Sequence, residues 1–131
     1  MPITTLLPSV AALAFVGYGV AVAARDRRAT WALPAGLAVA FLALSAWAIA
    51  TLGPLGFWTE HVRNAWGNQI WVDLLLAVGV AWGLLVPRMR AVGMRPGPWF
   101  CAVVLTGSVG LLALVARWLY LRDAARDAAA S

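Results

Sequence analysis

The chain has 131 residues, of which 63% are hydrophobic and only 11% are charged. A soluble domain of this length cannot bury so much apolar surface, so lipid is the expected solvent for most of the protein. All ten basic residues are arginine, and the net charge of +5 concerns topology and anionic headgroups rather than nucleic acid. The single cysteine excludes an internal disulfide, and the single histidine excludes a multi-histidine metal site. No cofactor is expected.

Four apolar runs are long enough to cross a bilayer, since about 20 helical residues span its hydrocarbon core. The sequence therefore predicts an all-α fold, a polytopic transmembrane bundle of four antiparallel helices joined by short loops. Residues 1–131 form one domain, with spans of about 3–24, 31–57, 67–87 and 99–121 and a polar tail at 122–131. The small residues at 21–23 also fit a signal-peptide cleavage site, but no basic residue precedes the run, which favours a retained helix.

Arginine distribution predicts the orientation of this bundle. The loops after the first and third spans hold six arginines, and the opposite side holds the other four: Arg25, Arg27, Arg28, Arg88, Arg90 and Arg95 against Arg63, Arg117, Arg122 and Arg126. The bias predicts a multi-pass protein of a bacterial inner membrane with both ends of the chain facing away from the cytoplasm.

One carboxylate, Asp73, lies inside the third apolar run, where a charge costs free energy unless something offsets it. In a four-span bundle Arg117 would lie at a similar depth on the neighbouring fourth span. An Asp73–Arg117 ion pair is therefore one hypothesis. The alternative is that each side chain reaches the nearby interface separately.

Most polar side chains gather around the start of the third span. The candidate polar cluster comprises Glu60, His61, Arg63, Asn64, Asn68, Asp73 and Arg117. Such a set beside apolar walls could hold a small polar headgroup, or it could be an ordinary hydrated membrane interface. His61 and Glu60 have no further residues that would make them a catalytic pair.

Glycines mark two helix faces. Gly79 and Gly83 have the small-xxx-small spacing on the third span, and Gly107 and Gly110 lie on the fourth. Glycines at these spacings allow helices to approach closely, either within the bundle or at a dimer face.

Short motifs in the second half of the chain carry a resemblance. They are NAWGNQIWVDLLLA at Asn64–Ala77, PWF at Pro98–Phe100, TGSVGLL at Thr106–Leu112 and LYLRD at Leu119–Asp123. In these motifs the region from about Thr51 to Asp123 resembles a family of small bacterial four-helix membrane proteins of unknown function. The resemblance implies an integral membrane location and gives no activity. The positions it singles out are Asn64 or Asn68, Asp73, Gly107, Ser108, Gly110 and Arg122.

The leading functional hypothesis is a small membrane protein without an evident catalytic site that binds a lipid or a partner helix. Membrane lipids, a second copy of the chain and a partner membrane protein are the expected partners. An alternative is a membrane-embedded enzyme that acts on an isoprenoid or other lipid, with Asp73 as the acid. A small transporter is less favoured, because outside the third span only Ser45, Thr106 and Ser108 offer polar groups near the midplane.

Overall fold

A computed structural model describes residues 3–24 and 29–130 of the chain. The described residues are all-helical, as the sequence predicts, and form six helices: α1 (Ile3–Ala24), α2 (Ala32–Leu52), α3 (Gly56–His61), α4 (Ala65–Ala91), α5 (Pro96–Thr106) and α6 (Ser108–Ala130). Three arginines on which the predicted orientation depends, Arg25, Arg27 and Arg28, lie outside the described residues, as does Ser131.

Three of these helices are long and apolar enough to span a membrane. They are α1, whose apolar segment is Leu6–Ala24, together with α2 and α4. Gly53 ends α2 with a φ of 80°, a left-handed conformation that glycine adopts without strain. Asn64 begins α4, because its side-chain oxygen accepts a hydrogen bond from the backbone N–H of Gly67.

The predicted fourth span is not a single helix among the described residues, so the prediction of four antiparallel helices is confirmed as all-helical but not as a four-helix bundle. The chain breaks at Gly107, which separates α5 from α6 with a φ of 58° and a ψ of −124°. Residues with a Cβ rarely adopt this backbone conformation, and glycine does so readily. Helix α5 has 11 residues and is too short to cross a bilayer at 1.5 Å per residue.

The two halves fold back on each other as a helical hairpin. The backbone of Gly110 lies so close to Ala102 that a Cβ on Gly110 would be 2.7 Å from the Ala102 carbonyl oxygen. In one straight helix, residues eight apart would be separated by roughly 12 Å. Further along the hairpin, Val103 of α5 and Leu114 of α6 are buried in the same apolar cluster.

That cluster is the main core of the molecule. Its buried members are Met89, Met94, Val103 and Leu114. Aromatic residues of three helices surround it, and Trp82 of α4 and Phe100 of α5 pack with their ring centroids 5.2 Å apart. The core therefore binds the last turns of α4 to the α5–α6 hairpin.

Helix α6 packs most extensively on α2, and the two run antiparallel. Near the start of α2, the Trp31 ring meets the Tyr120 ring edge-on at 6.0 Å. Beside it, a guanidinium N–H of Arg122 donates to the Ala29 carbonyl oxygen at 2.9 Å. The far half of α6 therefore returns to the end of the molecule where α2 begins.

Helix α1 packs on none of the other five helices among the described residues. Every side chain described on it, from Leu6 to Ala24, is exposed. The first predicted span is therefore present as a helix, but it does not belong to the bundle formed by α2, α4, α5 and α6.

Candidate functional site

The molecule has two chemically different ends. At the first, α2 leads through α3 into α4, and this end carries most of the predicted polar cluster. At the second end lie the start of α2, the end of α4 and the part of α6 around Tyr120 and Arg122. We call them the α3 end and the arginine-rich end.

At the α3 end, the last turn of α3 and the first turn of α4 are in very close contact. A Cβ on Gly67 would lie 2.4 Å from the Glu60 carbonyl oxygen and 2.9 Å from that of His61. Asn64 caps α4 through Gly67 N–H, and its own carbonyl oxygen accepts from the Asn68 side chain at 3.1 Å. Glycine is therefore required at position 67 to seat α3 on α4.

The His61 ring lies within an aromatic group. Its centroid is 4.7 Å from that of Trp71 and 6.4 Å from that of Phe57, and the Phe57 and Trp71 centroids are 6.2 Å apart, so the three rings form one group. Nδ1 of His61 is hydrogen-bonded to the Phe57 carbonyl oxygen, one helical turn back. In the neutral ring Nδ1 is thus the protonated nitrogen, because a carbonyl can only accept. The arrangement holds the imidazole as part of the α3–α4 packing.

Glu60 and Arg63 form an ion pair at 3.0 Å, with both side chains more than half exposed. Exposed pairs of this kind contribute about 0–1 kcal/mol to stability. In the part of the chain that the structure describes, no group of three or more His, Cys, Asp or Glu side chains could hold a metal ion.

Asp73 points away from the bundle. The packed face of α4 carries Trp71, Val78 and Trp82, whereas Asp73 is exposed on the opposite face. It lines an open, shallow depression of about 340 Å³ whose other walls are Asn68, Gln69, Val72 and Leu76. All five residues belong to α4, so no second helix closes this depression.

The structure does not bring Asp73 and Arg117 together. Arg117 lies on the returning part of α6, near the arginine-rich end, and its guanidinium sits 5.7 Å from the Tyr120 ring centroid. The ion pairs among the described residues are Glu60–Arg63 and Arg122–Asp123. The hairpin explains the difference, because it reverses the direction in which residues 108–121 run.

The four glycines of the predicted packing faces divide into two pairs. Gly110 touches Ala102 and the Thr106 hydroxyl, and Gly107 makes the turn of the hairpin. Gly79 and Gly83 are exposed, and a Cβ at either position would meet no atom within 4 Å. Within this chain, close helix packing therefore depends on Gly110 and not on the α4 pair.

Sequence reasoning did not find the cluster at the arginine-rich end. Arg122 packs over the Trp118 ring at 5.5 Å, pairs with Asp123 at 2.7 Å and donates to Ala29. Its side chain is only 24% exposed. The sequence feature that could have indicated this cluster is RWLYLR at 117–122, where aromatic and basic residues are mixed within an apolar run.

These features define an all-helical protein with three helices able to span a membrane by length and composition. Comparisons with protein-family models, with curated proteins and with solved structures found no match to this chain. The resemblance to a small bacterial four-helix family therefore stays a prediction.

One prediction concerns the α3–α4 contact. Gly67→Ala is expected to lower the melting temperature in detergent, because its Cβ would overlap two carbonyl oxygens of α3. Overpacking of this kind costs about 1–3 kcal/mol. Gly79→Ala, also within α4 but with open space around it, is the matched control and should leave the melting temperature unchanged or slightly raised. Equal melting temperatures for the two variants would show that α3 does not seat on Gly67.

Proposed function

We propose that this chain is a small, non-catalytic membrane protein that binds a helix of another membrane protein along the outward face of α4. A lipid on this face is the second possibility that the sequence raised. The observation that carries the proposal is Asp73, an exposed carboxylate within a membrane-spanning helix and without an ion-pair partner among the described residues.

The depth of Asp73 within α4 suggests that its carboxylate has a partner. Asp73 is eight residues beyond the start of α4, about 12 Å along the helix axis. A charge at the centre of a spanning helix costs about 2.5–3.5 kcal/mol, and less towards the interface. Ionisable residues in spans usually pair with one another. A basic or hydrogen-bonding residue on a partner helix would offset the cost.

The surroundings of Asp73 favour a helix over an enclosed ligand. The exposed face continues with Leu76 and Val80, and Gly83 leaves open space beside it. A partner helix could approach closely at that point and extend along two to three turns.

Charge complementarity also argues against a second copy as the occupant. At the α3 end the described residues offer one arginine, Arg63, which lies before α4 begins and already pairs with Glu60. A copy of this chain would therefore bring no unpaired guanidinium to the depth of Asp73. A foreign helix with Arg, Lys or His near its outer end fits better.

The enzyme hypothesis has less support from the same geometry. A lipid-processing acid needs a pocket that excludes water and holds the substrate, and the depression at Asp73 is open and formed by one helix. The transporter hypothesis has no new observation in its favour.

For location, we propose a bacterial inner membrane with the arginine-rich end in the cytoplasm. Of the seven arginines that the structure describes, six belong to the segments that meet at this end, and Arg63 belongs to the α3 end. Helix α1 then starts outside. The end of α6 lies inside, which differs from the prediction of two outward-facing chain ends.

Site-specific photo-crosslinking tests the partner helix. A crosslinking amino acid replaces Leu76, 64% exposed and one turn from Asp73, or Leu75, 52% exposed but on another side of α4. In the source bacterium, position 76 is expected to give an adduct with one membrane protein, and position 75 is expected to give little.

The adduct must depend on the carboxylate. Asp73→Asn should abolish it, Asp73→Glu should retain it, and a basic residue of the identified partner helix, changed to Asp, should restore it with Asp73→Arg. Adducts of equal yield from positions 75 and 76, or an adduct indifferent to Asp73→Asn, would contradict the proposal. An adduct between two differently tagged copies would replace the partner by a homodimer.

A further inference from the structure

The arginine-rich end has a charge imbalance that its own acids do not cancel. Among the described residues of this end, six arginines stand against two aspartates, Asp123 and Asp127. At the α3 end one arginine stands against Glu60 and Asp73. Among the described residues, the surplus of positive charge therefore lies at the arginine-rich end.

Two of these arginines are held in place by aromatic rings. The guanidinium of Arg117 lies 5.7 Å from the Tyr120 ring centroid, and that of Arg122 lies 5.5 Å from the Trp118 ring centroid. Trp31 packs edge-on against Tyr120 and joins this group to the start of α2. Tryptophan and tyrosine are enriched at the headgroup level of membranes, so the group has the composition expected at that level.

Other arginines at this end are exposed and free of acidic partners among the described residues. Arg90 lies in the last turn of α4, and Arg95 precedes α5, whereas the ion pair between described residues of this end is Arg122–Asp123. Arg88 donates to the Leu84 carbonyl oxygen, which leaves its remaining N–H groups available. The end therefore presents several guanidinium groups around an apolar rim.

We propose that this end is a binding surface for anionic phospholipid headgroups, formed by Arg88, Arg90, Arg95 and Arg117 beside the rings of Trp31, Trp118 and Tyr120. Guanidinium groups bind phosphate oxygens through two parallel hydrogen bonds. A lipid with a net negative headgroup, such as phosphatidylglycerol, meets the surplus positive charge. A zwitterionic headgroup carries its own cation and cancels less of it.

The α5–α6 hairpin is what makes this surface. If residues 99–121 crossed the membrane as one helix, Arg117, Trp118 and Tyr120 would lie near the α3 end. Because Gly107 reverses the chain, they lie beside Trp31 and close to the end of α4. The surface is independent of the partner face on α4, which lies towards the opposite end.

The test uses the full chain, purified in a non-ionic detergent and titrated with dioleoyl phosphatidylglycerol or dioleoyl phosphatidylcholine. Native mass spectrometry measures the dissociation constants for the first bound lipids. Phosphatidylglycerol is expected to bind at least tenfold more tightly. In the triple variant Arg90→Gln, Arg95→Gln and Arg117→Gln most of this preference should be lost, so that the two lipids bind with similar dissociation constants.

The substituted side chains are exposed, so the core should be undisturbed, and the melting temperature of the triple variant checks this. The corresponding Arg→Lys triple variant should retain most of the preference, because the charge remains. Arg63→Gln removes one charge from the other end and should change nothing. Equal affinity of the unmodified chain for the two lipids would overturn the proposal. A loss of the phosphatidylglycerol preference in Arg63→Gln comparable to that in the triple variant would overturn it as well. Glycerol 1-phosphate at millimolar concentration should not compete, and competition by it would point to a soluble phosphate ligand instead.

Discussion

Gly110→Val is expected to disrupt the packing of α5 against α6. Even the first carbon of the new side chain would overlap the Ala102 carbonyl oxygen and the Thr106 hydroxyl oxygen, both at 2.7 Å. The carbonyl belongs to backbone and cannot rotate aside, so the two helices must separate. Overpacking costs about 1–3 kcal/mol, and a branched side chain lies at the upper end of that range. Thermal unfolding in detergent, followed by tryptophan fluorescence, measures the loss.

Gly107→Ala tests the same hairpin through the backbone. A φ of 58° costs residues with a Cβ about 1–2 kcal/mol, so this variant should also unfold at a lower temperature. If both substitutions open one hairpin, the double variant should cost less than the sum of the two. Gly83→Ala is the control, since nothing lies near that position. Simple additivity of the two effects, or equal loss in Gly83→Ala, would show that Gly107 and Gly110 do not act in one unit.

Sequence reasoning could predict much of the fold, because length and composition alone define spanning helices. The second span was predicted to reach residue 57, but α2 ends at Leu52 before Gly53, and α4 begins at Ala65 after the capping Asn64, two residues before the predicted start at 67. Pro87 was expected to end the third span, yet α4 continues to Ala91. A proline removes one backbone hydrogen bond, to the residue four before it, and here that residue is Gly83, which has no side chain to crowd the turn.

The hairpin could not be predicted from hydropathy, which measures how apolar a window is and not which way the chain turns. Thr106, Gly107 and Ser108 interrupt the fourth run only briefly. The tertiary contacts that favour the turn join distant parts of the chain, Gly110 with Ala102 and Arg122 with Ala29. A short-range pattern does not record them.

The predicted polar cluster included Arg117 because the turn at Gly107 was not predicted. At the α3 end the contacts join residues that are close in sequence, Glu60 with Arg63 and Asn64 with Asn68. Arg117 was assigned to them by depth, and depth was counted along a helix that was assumed to cross. Once the direction of α6 is reversed, the same counting places Arg117 at the arginine-rich end, and Asp73 has no ion-pair partner among the described residues.

Topology mapping with fused reporters should distinguish the hairpin fold, with three crossing helices, from the four-span bundle. A reporter fused at Ala91 and one fused after Ser131 should both read as cytoplasmic, whereas a reporter inserted at Pro54 should read as outside. The physical reason is that α5 and α6 enter and return on one side, so residues 96–130 add no crossing to the three made by α1, α2 and α4. A four-span bundle would place the reporter after Ser131 outside, a change from full signal to none.

The distribution of arginines across the membrane favours the topology with the hairpin. If residues 99–121 crossed the membrane, six arginines would lie on one side and four on the other, and the positive-inside bias would be small. With the hairpin, six of the seven described arginines lie on one side and Arg63 lies on the other, because Arg117, Arg122 and Arg126 move to the side of Arg88, Arg90 and Arg95. Arg122→Ala removes the bond to Ala29, and Gly107→Ala strains the turn, so either variant should shift part of the population towards a crossing helix and give a mixed signal after Ser131. The reporter at Ala91 is the internal control and should stay cytoplasmic in both. An outside signal after Ser131 in the unmodified chain would contradict the hairpin and restore a fourth crossing helix.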